Sequence, residues 1–365
     1  MSAVRKKVLI PTFLLHPDAT RVLEEADDVE VIWALDPEER ALGIAGAGRR
    51  DVRMQAVAAA LDRYLPEVHA LHAMAPGGHM PVTAEMLDRA AALEAVFISA
   101  AGTDRIDVDA ATERGIVVIN AVGANAPAVA EHAVGLMLAL CRRICDTDRY
   151  AHVHKRVDPL RVVQTPPRLS LLGGKVLTII GYGFVGRSIA DIARHGFGME
   201  VIAYDPYFDP IEAERQGVRV VDDLHAALGA ADFVSVNAPF GAETASLIGA
   251  AELAAMKPTA FLVNTARGGV VDADALLKAL SDGTIAGAGL DVTDPEPLPD
   301  GSPFFDLDNV VLTPHVGGNA PEVFRASSLT PVRLVLDALR GKRPRHMVNP
   351  GAWARHVERF GGSPT

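Results

Sequence analysis

The chain has 365 residues, of which 49% are hydrophobic and 22% are charged, which is enough for two globular domains that each bury a core. Its formal net charge is -11 at pH 7, so it lacks the broad basic field that attracts the phosphates of nucleic acids. These numbers disfavour nucleic acid as a partner and predict a globular, two-domain protein.

The N-terminal stretch MSAVRKKVLIPTFLLHPD has the features of either a secretory leader or a first β-strand. Its apolar run is short, contains Pro11 and meets His16-Pro17-Asp18, where a leader needs small residues for cleavage, so a strand is favoured. No uncharged apolar stretch elsewhere is long enough to span a bilayer. We therefore expect a cytoplasmic protein with no membrane partner.

Short β-like runs alternate with helix-like segments through the first third of the chain. The runs are KVLIP, VEVIWAL, VHALHAMA, AVFISA and GIVVIN, separated by segments such as TAEMLDRAAAL and DAATERG. This alternation is typical of a parallel sheet whose strands are joined by crossover helices.

A long, nearly uncharged segment, PAVAEHAVGLMLALCRRI, predicts a helix buried between domains or subunits, because it is apolar on most faces. Residues 146–171 then lack clear periodicity and carry three prolines, which indicates an extended arm or linker. His152 and His154 lie in this arm, but such a pair alone predicts no metal site. Cys141 and Cys145, one turn apart on the predicted helix, fit reduced thiols better than a disulfide or a zinc site.

The alternation restarts after the arm with KVLTIIG, EVIAYD, VRVVD, DFVSVNAP, AFLVNTA, AGAGLDV and NVVLTPH. Six or seven buried strands in succession predict a full doubly wound α/β sheet, with a last buried strand from Asn309 to Thr313. Asn319 and Glu322 have the spacing of a capping box for the helix that follows.

A glycine motif lies between the first strand of this second sheet and its helix. Gly181-Tyr182-Gly183-Phe184-Val185-Gly186 is a GxGxxG with KVLTII before it and RSIADIARHG after it. This context predicts that the backbone approaches a dinucleotide pyrophosphate, which the positive end of the helix dipole favours. The alternative is a tight turn that binds no ligand.

Asp205 ends the next strand, about 20 residues after the glycines, where a carboxylate accepts the ribose hydroxyls of an adenosine. A 2′-phosphate about 4 Å away would be repelled by roughly 4 kcal/mol per unit charge at an effective dielectric near 20. Pro206 and Tyr207 follow, so no adjacent arginine compensates. The sequence therefore favours NAD over NADP as cofactor.

Two further side chains fit the reduction of a carbonyl group. Arg267 follows a predicted strand in LVNTARGGVV, at the sheet edge where ligands gather, and its guanidinium suits the carboxylate and keto oxygen of a 2-oxo acid. His315 ends NVVLTPH at the same kind of edge and suits the role of proton donor to an alkoxide. Glu296, in a proline-bracketed loop, would stabilise and orient an imidazolium if it lay against that ring. A structural salt bridge is the alternative role of Arg267.

With these motifs in order, the chain closely resembles the D-isomer-specific 2-hydroxyacid dehydrogenase family, from AGTDRIDVDAATERGIVVIN to TPHVGG. The resemblance implies that Arg267, Glu296 and His315 form the catalytic trio. It implies cofactor contacts and substrate contacts at the following positions: Gly181, Gly183, Phe184, Val185, Gly186, Asp205, Ala238, Thr265, Ala266 and Asp291 for the cofactor, and Ala101, Gly102, Gly77, Gly78 and Arg267 for the substrate. For Gly77 and Gly78, ordinary turns are an equal alternative.

The resemblance also implies a domain arrangement. A Rossmann NAD-binding domain, 123–315, would be inserted in a flavodoxin-like substrate domain made of 1–122 and 316–365, so that both domains are doubly wound α/β folds. The long helix and arm, about 126–171, would build a homodimer, as in relatives.

The expected function is NAD-dependent interconversion of a small 2-oxo acid and its (R)-2-hydroxy acid. One alternative is a non-catalytic, dinucleotide-sensing dimer scaffold of the kind found among transcriptional corepressors with this fold, although the chain shows no recruitment tail. Another is a formate dehydrogenase of the same superfamily, but those relatives have glutamine where this chain has Glu296.

Overall fold

A computed structural model describes residues 5–43, 49–75, 78–158, 160 and 169–363. The chain forms two compact units. The first unit comprises Met1–Asn125 and Ala320–Thr365, and the second unit comprises Ala126–Asn319. Both are α/β units built on parallel sheets, so the predicted fold class is confirmed.

The first unit begins with the alternation that the sequence predicts. Its elements are β1 Lys6–Ile10, α1 Pro17–Glu24, β2 Val29–Trp33, α2 Pro37–Ala41, α3 Arg50–Tyr64, β3 Ala70–His72, β4 Met74–Ala75, β5 Gly78–His79, α4 Ala84–Arg89, β6 Ala95–Phe97, α5 Val108–Glu113 and β7 Val117–Ile119. Five strands form a parallel sheet in the order β2-β1-β3-β6-β7, and β4 pairs with β5 in a small antiparallel hairpin. The N-terminal apolar run is therefore a strand.

Alternate residues of these strands enter cores on opposite faces of the sheet. In β1, Val8 and Ile10 pack in one hydrophobic cluster, whereas Leu9 packs in the other. Such burial on both faces explains why the strands read as unbroken apolar runs.

The second unit carries a sheet of seven strands, where the sequence predicts six or seven. Its elements are α6 Ala126–Cys141, α7 Ile144–His154, β8 Val176–Ile180, α8 Phe184–Phe197, β9 Glu200–Tyr204, α9 Pro210–Arg215, β10 Arg219–Val220, α10 Leu224–Ala230, β11 Phe233–Val236, α11 Ala250–Ala255, β12 Phe261–Asn264, α12 Ala273–Ser281, β13 Gly287–Leu290 and β14 Val310–Leu312. The strand order is β10-β9-β8-β11-β12-β13-β14, and every pairing is parallel. The order reverses between β8 and β11, which is where open α/β sheets bind ligands.

The last elements of the chain belong to the first unit. They are α13 Pro321–Leu339 and α14 Trp353–Phe360, with a short 3-10 turn at Pro350–Ala352 between them. The second unit has two further 3-10 turns, at Gly268–Val270 and Pro303–Asp306. None of the helices in the described ranges is both long enough and apolar enough to cross a membrane.

The structure corrects four local predictions. The strand at Asn309 to Thr313 is shorter than expected and half-buried, because β14 is the edge strand of its sheet. The first part of the predicted arm is helical, since Ile144–His154 is α7. Cys141 and Cys145 therefore lie on successive helices. The capping box is absent: α13 has Ala320 as its N-cap and no side-chain cap.

The buried histidine of β3 predicts acid sensitivity of the first unit. His72 is 1% exposed, with Nε2 3.0 Å from Ser99 Oγ and its ring centroid 4.9 Å from that of Phe97. Burial lowers the pKa of His72 to about 3. As pH falls below about 6.5, the unfolded chain binds a proton that the folded chain does not, so stability decreases toward pH 3.

We expect His72 to remove about 2 kcal/mol of unfolding free energy between pH 7 and pH 5. Urea unfolding of the wild type and of His72→Leu at both pH values measures this difference. The variant should lose less stability on acidification, whereas His195→Leu, at an exposed histidine, should behave as the wild type does. Equal acid sensitivity of His72→Leu and the wild type would refute the assignment.

Candidate active site

The glycine motif forms the turn from β8 into α8, and two of its glycines are required by close packing. Gly181 has φ 91°, and a Cβ there would lie 2.6 Å from Ala238 N. At Gly186 a Cβ would lie 2.4 Å from Gly181 O. A Cβ at Gly183, by contrast, would meet nothing within 4 Å, and this N-cap residue leaves the helix start without a side-chain cap. The amide end of α8 is therefore open to a phosphate group.

Asp205 is anchored to this turn. Its Oδ2 accepts a hydrogen bond from Tyr182 N at 2.8 Å, and its Oδ1 accepts one from Tyr207 N at 2.9 Å. Each carboxylate oxygen keeps a second acceptor position, which fits a pair of ribose hydroxyls. Tyr207 Oη in turn donates to Glu243 Oε2 at 2.5 Å, so Tyr207 links a second carboxylate to Asp205.

Two buried polar atoms at the same sheet edge lack partners. Asn237 follows β11, and Thr265 follows β12. Among the described residues of the second unit, Asn237 Oδ1 and Thr265 Oγ1 are the two buried side-chain atoms without a hydrogen bond. A buried unsatisfied polar group costs about 1–3 kcal/mol, so these atoms indicate a ligand that completes them. Together with the open glycine turn and Asp205, they fit a dinucleotide.

Arg267 lies in a tight turn after β12. Asn264 holds this turn, because its Oδ1 accepts from Ala266 N at 3.0 Å and its Nδ2 donates to Arg267 O at 2.9 Å. A Cβ at Gly268 would lie 2.0 Å from Thr293 O, so only glycine permits this approach. The arginine turn therefore packs against the segment that leads to Glu296.

Glu296 and His315 meet, as the sequence analysis required for an oriented imidazole. His315 Nδ1 lies 2.7 Å from Glu296 Oε1, and the two side chains are 45% and 44% exposed. The carboxylate accepts from Nδ1–H, which leaves Nε2 to face a reacting group. This geometry is suited to a proton donor with an orienting anion.

Asp291 holds the turn that carries His315. His315 N donates to Asp291 O at 2.8 Å, Val316 N donates to its Oδ1 at 2.9 Å, and Gly317 N donates to its Oδ2 at 2.9 Å. Asp291 thus accepts hydrogen bonds from three successive backbone amides. Asp291 is 3% exposed, and its Oδ2 keeps one acceptor position for a ligand amide.

Apart from Arg267, the candidate substrate residues belong to the first unit. Ala101 and Gly102 follow β6, and Asn120 Nδ2 donates to Ala101 O at 2.6 Å. Gly78 begins β5, whereas Gly77 lies outside the described residues. The structure therefore places this loop at a carboxyl edge of the first sheet, where ligands gather in such folds.

The sequence analysis did not single out several residues of these networks. They are His132, Asn237, Glu243 and Thr313. The available signal for His132 was a histidine beside Glu131 on the mainly apolar α6. The contacts of Glu243 and Thr313 join segments far apart in the chain, and Asn237 is distinguished by a buried Oδ1 without a partner, which only the structure shows.

The sequence of this chain is similar to those of proteins named as dehydrogenases and reductases. A family model described as D-isomer specific 2-hydroxyacid dehydrogenase, NAD binding domain, matches residues 134–317. D-3-phosphoglycerate dehydrogenase of Methanocaldococcus jannaschii is 35% identical over 94% of this chain and 59% of its own length. Glyoxylate reductase of Thermococcus litoralis is 40% identical over 73% of this chain and 80% of its own length.

A solved structure extends the likeness to both units. The holo form of D-mandelate dehydrogenase from Rhodotorula graminis superposes with a TM-score of 0.78 at 30% identity, and the match covers 94% of this chain and 98% of that one. The present chain spans less than two thirds of the phosphoglycerate dehydrogenase that it matches.

Proposed function

Because this chain belongs to the D-isomer specific 2-hydroxyacid dehydrogenase family, we propose that it interconverts a small 2-oxo acid and its (R)-2-hydroxy acid with NAD. The observation that carries the proposal is the contact of 2.7 Å between His315 Nδ1 and Glu296 Oε1, in the unit that also holds the glycine turn. The corepressor-type scaffold finds no support among the relatives described above, which are named as enzymes.

The residues of the second unit would hold the cofactor as follows. The amides at the start of α8 bind the pyrophosphate, Asp205 accepts the ribose hydroxyls, and Thr265 and Asp291 offer polar atoms further along the edge. When bound, the nicotinamide supplies a hydride to the carbonyl carbon or accepts one from the alcohol carbon.

The protein supplies the proton and the orientation. In the direction of reduction, His315 gives its Nε2 proton to the carbonyl oxygen, while Glu296 accepts from Nδ1–H and stabilises the imidazolium. Arg267 binds the substrate carboxylate and polarises the carbonyl, for which its planar guanidinium is suited. In the reverse direction neutral His315 takes the hydroxyl proton.

We assign the remaining roles from the family resemblance. The residues 123–315 would form the cofactor domain, and 1–122 with 316–365 would form the substrate domain. The amides of Ala101 and Gly102 would bind the substrate carboxylate, and Gly77 and Gly78 would face its far end. The hydrogen bond from Asn120 to Ala101 O supports this assignment, because it fixes the orientation of the loop backbone.

A substrate panel tests the function. We expect the purified protein to oxidise NADH with at least one of glyoxylate, hydroxypyruvate, pyruvate, 2-oxoisovalerate and the 2-oxo acid of mandelate, followed by absorbance of the reduced nicotinamide. With any of these acids except glyoxylate, whose product glycolate is achiral, the product should be the (R)-hydroxy acid on a chiral column. Tight NADH binding without turnover of any acid would contradict the proposal.

Assembly and location are part of the proposal. We propose a homodimer built on the long helix and arm, about 126–171, because large apolar side chains are exposed on α7: Ile144 is 53% and Val153 is 68% exposed. Light scattering should give twice the mass of one chain. We also propose a cytoplasmic location, which the free thiols of Cys141 and Cys145 support and cell fractionation tests.

A further inference from the structure

A histidine on α6 lies behind the turn that carries His315. His132 Nε2 is 2.9 Å from Thr313 Oγ1 and 3.3 Å from Asp291 Oδ1. We propose that His132 is a positioning residue, which fixes the His315 turn through Thr313 and Asp291. The inference rests on the proposed function of His315.

The direction of each hydrogen bond follows from the donor inventory. Thr313 Oγ1 has one proton, and it donates this proton to Asp291 Oδ1 over 2.6 Å, because an ionised carboxylate only accepts. Thr313 Oγ1 must then accept from its other neighbour, His132. His132 therefore carries its proton on Nε2, and the chain of donors runs from His132 through Thr313 to Asp291.

Asp291 depends on this chain of donors. Its carboxylate is buried and receives two backbone amides and the Thr313 hydroxyl. Across the described ranges, His132 is the only basic side chain with a nitrogen within 4.0 Å of an Asp291 carboxylate oxygen. A buried carboxylate needs its partners in place, so the position of His132 controls the position of Asp291.

The packing of the turn leaves little room for adjustment. A Cβ at Gly317 would lie 2.9 Å from Asp291 Oδ2 and 3.3 Å from His132 Cδ2, so the imidazole lies directly against the turn. His315 itself has φ 55°, a left-handed conformation that costs a non-glycine residue about 1–2 kcal/mol. Such a conformation persists only when its surroundings fix it.

Loss of the His132 donor should therefore loosen the turn and displace the His315 ring. A misplacement of about 1 Å can lower turnover by about 100-fold, even from a residue that does not touch the substrate. The binding of NADH should change little, because the glycine turn and Asp205 would hold its phosphates and ribose and Asp291 would offer one contact among several.

The experiment combines turnover with hydrogen exchange. His132→Leu removes the donor, His132→Gln replaces it with an amide N–H, Thr313→Val breaks the link, and the double variant His132→Leu/Thr313→Val closes a cycle. His195→Leu, at an exposed histidine of α8, is the matched control. We measure kcat with the best acid of the panel, NADH affinity by fluorescence, and deuterium uptake of peptides that cover residues 313–318.

We expect His132→Leu to lower kcat by about 10- to 100-fold and to leave NADH affinity within about threefold of the wild type. The Val316 and Gly317 amides should exchange faster in this variant, His132→Gln should restore both readouts in large part, and the double variant should equal Thr313→Val.

Unchanged kcat and exchange in His132→Leu would overturn the proposal, as would effects that add in the double variant. If the panel shows no turnover, the proposed function fails, while deuterium uptake still decides whether His132 holds the turn. If His132→Leu does not fold, Thr313→Val and His132→Gln decide by the same two measurements.

Discussion

Replacement of His315 by alanine should lower kcat for reduction of a 2-oxo acid by about 100- to 10,000-fold, the usual contribution of a positioned acid or base. The affinity for NADH should stay within about threefold of the wild type, because the ring acts on the carbonyl oxygen and not on the cofactor phosphates. Stopped-flow turnover and fluorescence titration with NADH measure the two quantities on the same samples.

The contact between His315 and Glu296 provides a control variant with a smaller expected effect. Glu296→Gln keeps a hydrogen-bond partner 2.7 Å from Nδ1 but removes the charge that stabilises the imidazolium, so its loss of kcat should be smaller than that of His315→Ala. His195→Leu should turn over as the wild type does. Equal losses of turnover and of NADH affinity in His315→Ala would exclude His315 as the proton donor.

Removal of the charge at Asp205 should narrow the preference for NADH over NADPH by about 100- to 1,000-fold, since a carboxylate about 4 Å from a phosphate costs roughly 4 kcal/mol per unit charge at an effective dielectric near 20. Asp205→Asn is the sharper variant, because an amide oxygen can still accept from Tyr182 N, whereas Asp205→Ala also loses that anchor of the glycine turn. The ratio of kcat/KM for the two cofactors measures the effect.

A second carboxylate provides a comparison for this experiment. Glu243 accepts from Tyr207 Oη, and the amide of Tyr207 donates to Asp205, so Glu243→Gln removes charge one contact further from Asp205. Its effect on the ratio should be smaller than that of Asp205→Asn. An unchanged ratio in both Asp205 variants would show that another feature selects the cofactor.

Local signals in the sequence determined most of the fold. The strands of both sheets could be predicted from apolar runs, because a strand of a parallel sheet is buried on both faces and is therefore apolar at successive residues. The positions of the glycine motif after β8 and of Asp205 after β9 could be predicted because both belong to one βαβ unit, within which sequence spacing sets the geometry.

The departures from the sequence analysis have physical causes. β14 looks like a buried strand in sequence, yet it is half-buried because the sheet order leaves it at an edge. Ile144–His154 is helical, although polar and charged residues on its exposed face obscure the helical spacing of its apolar residues. Asn319 does not cap α13, because the helix begins one residue later than the capping box requires.

The sequence by itself determined the fold class and the glycine turn between β8 and α8, and it predicted three side chains suited to carbonyl reduction, since each depends on residue type and short spacing. Only the tertiary structure decided that Glu296 meets His315, that Asp291 accepts three amides of the His315 turn, and that His132 lies behind it. Those contacts join α6, β13 and β14, and a hydrogen bond between distant segments leaves no periodicity in the chain from which it could be read.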